Sequence, residues 1–206
     1  MNLFDECLAQ SHAAASLPLW EEIYRKAFPT FQSMDYFPAD GEHQRAGIDR
    51  AVTLENSKQI LIDEKIRGRN KKTGIIYKDI ALEYESNDRT HAPGWVCKSL
   101  RCDYICYAIA PLGIGYLLPV IQMQLAWERN FAEWMRRQDC KKIEASNPSY
   151  NTLSLCVPVA VLFGAIGSCL RVEFAECECD GSPTPIASPI SLHHTKIDES
   201  FSWNPR

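Results

Sequence analysis

The fold is decided by Gly47-Ile48-Asp49 and, after a polar turn, Ile60-Leu61-Ile62-Asp63-Glu64-Lys65. We interpret these segments as two short strands joined by Glu55-Asn56-Ser57. Each strand carries an acidic residue among apolar neighbours, and the second adds a lysine two positions later. Because the side chains of a strand alternate between its two faces, Asp63 and Lys65 point the same way.

The length of the turn fixes the register of this hairpin. If residues 55–57 form a three-residue loop, Leu54 pairs with Lys58 and Asp49 lies opposite Asp63. Cross-strand partners in that register have Cβ atoms about 5 Å apart. Two carboxylates at this distance repel each other unless a cation lies between them. The stretch therefore predicts either a metal site or a merely charged hairpin.

Composition limits the classes of protein to consider. The 206 residues suffice for one domain, and 46% hydrophobic with 23% charged residues is ordinary for a globular protein. The net charge of −4 argues against a general nucleic-acid coat. It does not exclude a nuclease, whose metal ions and local basic patches offset the acidic total.

Targeting signals and cysteines indicate the compartment. The N-terminus lacks the basic and apolar regions of a signal peptide. Nine cysteines without such a signal favour reduced thiols, so we expect a cytoplasmic protein. The longest uncharged run, Asn151 to Leu170, contains Pro158 and two glycines, which favours a buried core element over a membrane helix.

Hydrophobic periodicity predicts elements on both sides of the hairpin. We expect helices over 17–28, 95–101 and 121–137, a loop from 29 to 43, and further strands over 78–85, 103–109, 115–120 and 171–175. The strand 78–85 is expected to extend the sheet of the hairpin. The prediction is one α/β domain, 1–179, with a core over 17–120, extra elements over 121–179 and a Pro/Ser-rich tail over 180–206.

The acidic pair and the lysine are the groups that phosphodiester cleavage requires. Such cleavage needs neutralised charge on the phosphoryl oxygens, a positioned water and a stabilised leaving alkoxide, and Mg²⁺ supplies the first and third. This ion accepts a few carboxylate ligands with several retained waters, so Asp49, Asp63 and the carbonyl of Glu64 suffice. Lys65 could orient the water and offset charge in the transition state.

This pattern resembles the signature of the PD-(D/E)xK, or restriction-endonuclease-like, nuclease superfamily. The resemblance covers residues 17–120 and implies a mixed sheet flanked by helices and Mg²⁺-dependent cleavage of nucleic acid, with Mn²⁺ as an alternative ion. The metal-binding aspartate of the family corresponds to Asp49, its D/E to Asp63 and its lysine to Lys65. The chain has Gly-Ile-Asp in place of Pro-Asp, which the family tolerates.

A second departure concerns the middle of the tripeptide, which is usually apolar in the family and is Glu64 here. In the register above, Arg50 lies diagonal to Glu64 on the opposite face of the hairpin. Since a lone buried charge is very costly, we predict a buried or half-buried Arg50–Glu64 pair. Many members also use a glutamate of the first helix, and we favour Glu21 over Glu22 for that role.

A basic run follows the catalytic tripeptide and could contact a substrate. It contains Lys65, Arg67, Arg69, Lys71 and Lys72, with no acidic residue from 65 to 72. Such a run is ordinarily a solvated loop, but after the lysine it is well placed to hold a phosphate backbone without reading sequence. Glu83 and Glu85 are expected to be surface charges, although one could approach the metal from a neighbouring strand.

The cysteines allow a different metal site. Those that could hold zinc or an iron–sulfur cluster are Cys97, Cys102, Cys106, Cys177 and Cys179, but no pair has Cys-x-x-Cys spacing. Free cysteine in an apolar strand behaves as a small hydrophobe, which is the simpler interpretation.

Together, these patterns predict a Mg²⁺-dependent nuclease acting on DNA, of the kind used in bacterial or phage repair, recombination or restriction. Apolar surface in the C-terminal third is compatible with a homodimer, and no membrane contact is expected. The alternative is a non-catalytic nucleic-acid-binding or interaction protein on the same scaffold.

Overall fold

Ten strands and four helices form from the described residues, 16–37, 41–70 and 73–176, of the computed structural model. The helices are α1 Leu19–Ala27, α2 Glu42–Ala46, α3 Val120–Trp134 and α4 Val159–Ile166. The strands are β1 Phe31–Tyr36, β2 Arg50–Leu54, β3 Gln59–Arg67, β4 Asp79–Asn87, β5 Ala92–Pro93, β6 Tyr104–Ile109, β7 Ile114–Pro119, β8 Lys141–Ser146, β9 Asn151–Pro158 and β10 Leu170–Glu173. None of the described helices is long and apolar enough to cross a membrane.

The strands form two sheets. The first has the order β1-β2-β3-β6-β7-β10 and is mixed, since β3 and β6 run parallel while its other neighbours run antiparallel. The second has the order β5-β4-β9-β8 and is antiparallel throughout. The predicted α/β class and the mixed sheet are therefore confirmed.

The register predicted for the central hairpin is confirmed from Arg50 to Leu54. Arg50 pairs with Ile62, and the Leu54 N–H donates to the Lys58 carbonyl at 2.9 Å. The ladder ends at Arg50 and Ile62: Asp49 precedes the strand, and its N–H donates to the Ile62 carbonyl at 2.9 Å, so the predicted pairing of Asp49 with Asp63 does not form. Ser57 closes the three-residue loop with a left-handed backbone (φ 60°), a conformation typical of the last position in such loops.

The start of the hairpin differs from the prediction. The first strand begins at Arg50, and residues 42–46, expected to lead into it, form helix α2. Gly47 follows this helix with a φ of 68°, which glycine adopts without steric cost at a helix end. A Cβ at that position would lie 2.4 Å from Leu100 Cδ2, so the turn also requires the absence of a side chain.

A helix covers one face of the first sheet. Trp20, Ile23 and Tyr24 of α1 are almost completely buried and pack with Val52, Ile62 and other residues of that face. The second sheet, α3 and α4 pack on the opposite face, where Ile80 and Leu82 of β4 share a core with Ile105 of β6. The first sheet therefore lies between a helix and a second layer.

Three further predictions are wrong. Residues 31–36, taken as loop, form the edge strand β1 because they pair with β2 although most of them are exposed. Strand β4 does not extend the first sheet but pairs with β5 and β9, because its apolar residues face the core between the layers. Residues 95–101 form no helix: only one turn closes, with the Cys97 and Lys98 N–H groups on the Gly94 carbonyl.

The second sheet joins the two parts of the chain that the sequence had suggested to be core and C-terminal elaboration. Strand β4, before residue 120, pairs along most of its length with β9, after it. Strand β8 was not predicted, since its residues are all exposed and show no apolar alternation. The C-terminal elements thus hold β4 in place.

Candidate active site

Asp49, Asp63 and Lys65 come together on the face of the first sheet that points to the second. Lys65 Nζ donates to Asp63 Oδ1 and lies 3.5 Å from the Glu64 carbonyl oxygen. The Glu64 N–H donates to Asp49 Oδ2 at 2.7 Å, which fixes the second carboxylate beside the tripeptide. Asp49, Asp63, Lys65 and the Glu64 carbonyl are therefore adjacent.

The site is unequally open to solvent. The Asp63 side chain is 5% exposed and the Lys65 side chain is 31% exposed. The two side chains share a face of β3, with Asp63 at the middle of the strand and Lys65 nearer its end. Lys65 is therefore more accessible to solvent than Asp63.

The two carboxylates hold more negative charge than the lysine balances. Burial and the neighbouring charge of Asp63 raise the pKa of Asp49 to about 7, against the opposing effects of Lys65 and the Glu64 N–H. Burial lowers the pKa of Lys65, but the charges of Asp63 and Asp49 outweigh it and the pKa lies above its usual value. The lysine is therefore a cation, and Asp49 binds a proton as the pH falls below about 7.

The side chain of Glu64 points to the other face, as the register predicted. Arg50 donates to it twice, from Nε to Oε1 at 2.6 Å and from a terminal nitrogen to Oε2 at 3.1 Å. The Tyr24 hydroxyl adds a third hydrogen bond at 2.6 Å. Both charged side chains are only 5% exposed, so the predicted Arg50–Glu64 pair is confirmed.

Strand β4 runs alongside the end of β3 through side-chain contacts. A terminal nitrogen of Arg67 donates to Asp79 Oδ1 at 2.6 Å. Two residues further on, the Ala81 N–H donates at 3.1 Å to the hydroxyl of Tyr107, which pairs with Lys65 in the first sheet. Residues of β4 therefore follow β3 in the reverse direction, from Arg67 back toward Asp63.

Glu83 is the next residue of β4 on that side, and it faces the candidate site. Burial raises the pKa of Glu83, and the charges of Lys65 and Lys98 oppose this effect. The Glu83 charge in turn acts on Lys65. The sequence offered Glu83 only as one of two acids that could approach from a neighbouring strand, since alternation alone did not show which sheet holds β4.

In its described part, the basic run does not present all of its charges to solvent. Contrary to the prediction, Arg67 is directed inward: its side chain is 14% exposed, it binds Asp79, and it stacks on Tyr77 at 4.1 Å. Arg69 is partly buried where it bridges to Ile76. Lys71 and Lys72 lie outside the described residues.

Glu21 is not part of the site either. It lies on α1, which covers the face opposite Asp63 and Lys65, and its carboxylate accepts from Arg25 at 2.6 Å. The prediction is wrong because the helical stripe showed which residues are apolar but not which face of the sheet the helix covers. Glu22, the other candidate, pairs in the same way with Lys26.

The cysteines do not form a site in the described part of the chain. Cys102 packs in the core between the layers and Cys106 in the core beneath α1, so the sheet separates them. Burial raises the pKa of Cys102 to about 12, which keeps it a neutral thiol. Cys177 and Cys179 lie outside the described residues.

The oxygen atoms of this site suit a hard cation that keeps part of its water shell better than one bound entirely by protein ligands. Among the described residues, no three His, Cys, Asp or Glu side chains are grouped as metal ligands. Asp49, Asp63 and the Glu64 carbonyl offer oxygen donors only, and Mg²⁺ is commonly held by one or two carboxylates while retaining waters. Asp49, Asp63 and the Glu64 carbonyl could therefore hold Mg²⁺ or Mn²⁺.

The features that indicate a function are thus two adjacent carboxylates, a lysine bonded to one of them, and a further acid facing them from a second sheet. No family model, curated protein or solved structure matches this chain.

Proposed function

We propose that this protein is a Mg²⁺-dependent nuclease that hydrolyses phosphodiester bonds in DNA. The observation that carries the proposal is the convergence of Asp49, Asp63 and Lys65 on one face of the sheet, with Lys65 bonded to Asp63. A charged hairpin with no further role would let such side chains separate into solvent. Here Asp63 is 4% exposed and is bonded to Lys65, so it does not separate into solvent.

Each residue has a role in the proposed reaction. Asp49, Asp63 and the Glu64 carbonyl would hold the ion, which when bound neutralises phosphoryl charge and stabilises the leaving alkoxide. Lys65 orients the attacking water and offsets negative charge in the transition state, since its ammonium group is fixed by Asp63 and remains partly open to solvent. Mn²⁺ could replace Mg²⁺ at the same oxygen donors.

The fold supports the resemblance to the PD-(D/E)xK superfamily at several points. Helix α1 precedes the hairpin and packs beneath it, and the tripeptide lies in a mixed sheet next to the parallel strand β6. The glutamate in the middle of the tripeptide, which departs from the family pattern, is matched by Arg50. We therefore propose a restriction-endonuclease-like core, with β4, β8 and β9 as an additional layer.

Cleavage of supercoiled plasmid by the wild type and Lys65→Ala tests this proposal. We expect nicking that requires Mg²⁺ or Mn²⁺ and is at least about a hundredfold slower in the variant, a typical loss for a group that transfers or positions a proton. Lys58→Ala, an exposed lysine of the hairpin turn, is the matched control and should cleave like the wild type. Equal cleavage by all three proteins would contradict the assignment.

One observation favours a second candidate function. Lys65 already neutralises Asp63, and the described residues offer no third grouped ligand, so the acidic pair could be closed by the chain's own lysine. The protein would then be a non-catalytic nucleic-acid-binding or interaction protein. Binding of labelled DNA without any metal-dependent cleavage, and without Mn²⁺ binding, would support this alternative.

A further inference from the structure

One sheet edge of this molecule differs from the others. Among the described strands, the edges of the two sheets are β1, β10, β5 and β8. Strand β1 is bulged near Phe31, β10 has four residues and β5 has two. Bulges and short strands are the usual ways in which proteins prevent pairing at an edge. Strand β8 has neither protection, since its six residues pair with β9 in unbroken register.

The outer side of β8 is open to a partner. All six of its residues are exposed, and Ile143 in the middle is a large apolar side chain that is 39% exposed. Alternate residues of an antiparallel strand direct N–H and C=O groups away from its neighbour. No described strand pairs with those groups on the outer side of β8.

The sequence of the strand is complementary to itself. Lys142 and Glu144 lie on one face and Ile143 between them lies on the other. If two copies pair antiparallel about an axis through Ile143, Lys142 of each copy lies opposite Glu144 of the other and the two isoleucines meet. An axis through Lys142 or Glu144 would instead place like charges opposite each other, which is destabilising. Of these three axes, the charges therefore favour the one through Ile143, which pairs Lys142 with Glu144 twice.

We propose that the protein forms a two-fold symmetric dimer through antiparallel pairing of β8 with β8 of a second copy. The second sheets of the two copies would then form one continuous sheet. An isologous interface of this kind requires self-complementarity about the axis, which the sequence Lys142-Ile143-Glu144 has. The same lysine and glutamate would disfavour pairing with strand edges that place a like charge opposite either of them. This inference does not depend on the proposed nuclease activity.

Charge exchange in the full-length chain tests the proposal. We expect sedimentation equilibrium of the wild type to show a dimer, and K142E and E144K each to raise the dimer dissociation constant at least tenfold. In an equimolar mixture of the two variants, each glutamate meets a lysine again, so a heterodimer should form with wild-type affinity. Lys58→Glu makes the same charge change on an exposed turn of the first sheet and should remain dimeric.

Three results would overturn the proposal. They are a wild type that stays monomeric at the highest concentration reached, single variants that dimerise like the wild type, or a mixture that does not restore the dimer. Because the substituted side chains are exposed, loss of folding is not expected, and circular dichroism of each variant checks this point. Cleavage assays on the same samples keep this outcome separate from that of the proposed activity.

Discussion

Neighbouring residues of strand β3 place charge on opposite faces of one sheet, with opposite consequences. Glu64 binds Arg50 and Tyr24 in a network that leaves 5% of either charged side chain exposed. Asp63 lies with Asp49 and Lys65, where one cation faces two carboxylates and the lysine is 31% exposed. In the first group the charges are paired and buried. In the second, the carboxylates outnumber the cation, and the lysine is partly exposed to solvent.

The difference separates structural charge from functional charge. In a closed network every buried charge has its partner, so the protein needs no ligand to satisfy it. An excess of carboxylate, held in place by backbone and lysine, is satisfied only by a proton or a cation. We therefore assign the Glu64 side chain to the fold and propose a functional role for Asp49, Asp63 and Lys65.

Removing one partner of the buried Arg50–Glu64 pair should have the largest effect on stability. Arg50→Ala should lower the free energy of unfolding by about 3 to 5 kcal/mol, because it leaves the buried Glu64 carboxylate without its partner. Urea denaturation followed by circular dichroism measures this loss. The double variant Arg50→Met/Glu64→Met should recover most of it. A loss no larger than that of a surface substitution would show that the pair is not the closed network described above.

Removing the charge of Asp49, which lies with Asp63 and Lys65 on the other face, should raise the free energy of unfolding rather than lower it. The pKa of Asp49 is raised to about 7 from 3.8, so between these values the native state binds more protons than the unfolded state. Without metal, the Asp49 contribution to stability is complete below about pH 4 and is lost as the pH rises through about 7. Asp49→Asn should remove this slope and, at pH 8, stabilise the metal-free protein by about 1 to 3 kcal/mol. A steeper slope in the variant would contradict the burial argument.

Arg67 lies on the same face of β3 as Asp63 and Lys65, but its charge is paired with that of Asp79. Arg67→Met should lower the free energy of unfolding by about 2 kcal/mol, since Asp79 loses its partner between the two sheets. The salt dependence of DNA binding should not change, because a paired and largely buried guanidinium displaces no counterions from phosphate. A shallower salt dependence would return Arg67 to the substrate-binding residues.

The smallest effect is expected at Glu21. Its exposed pair with Arg25 lies on the outer surface of α1, and such pairs contribute little to stability. Glu21→Gln should change the free energy of unfolding by less than about 0.5 kcal/mol and leave cleavage unchanged. Loss of metal-dependent cleavage in this variant would mean that the first helix does contribute a ligand.

The parts of the molecule that were predictable are those fixed by local rules. The loop of residues 55–57 determined the hairpin register from Arg50 to Leu54, and that register placed Arg50 near Glu64. Apolar periodicity located α1 and α3. These features depend on alternation and turn length, which a sequence displays directly.

The parts that were missed depend on long-range packing. Strand alternation showed that Asp79 and Glu83 share a face, but only the pairing of β4 with β9 decides which sheet holds them. The basic run gave no sign that Arg67 would turn inward to Asp79. Strand β8, exposed along its whole length, has no hydrophobic pattern from which it could be recognised.

The most direct test of the central claim is a calorimetric titration of Mn²⁺ into three proteins. The wild type should bind the ion with an affinity that rises through about pH 7, as Asp49 loses its proton. Asp63→Asn should lose that binding, whereas Arg50→Met/Glu64→Met, altered on the other face of the same strand, should keep it. Absence of binding in the wild type, or equal binding in Asp63→Asn, would contradict the account.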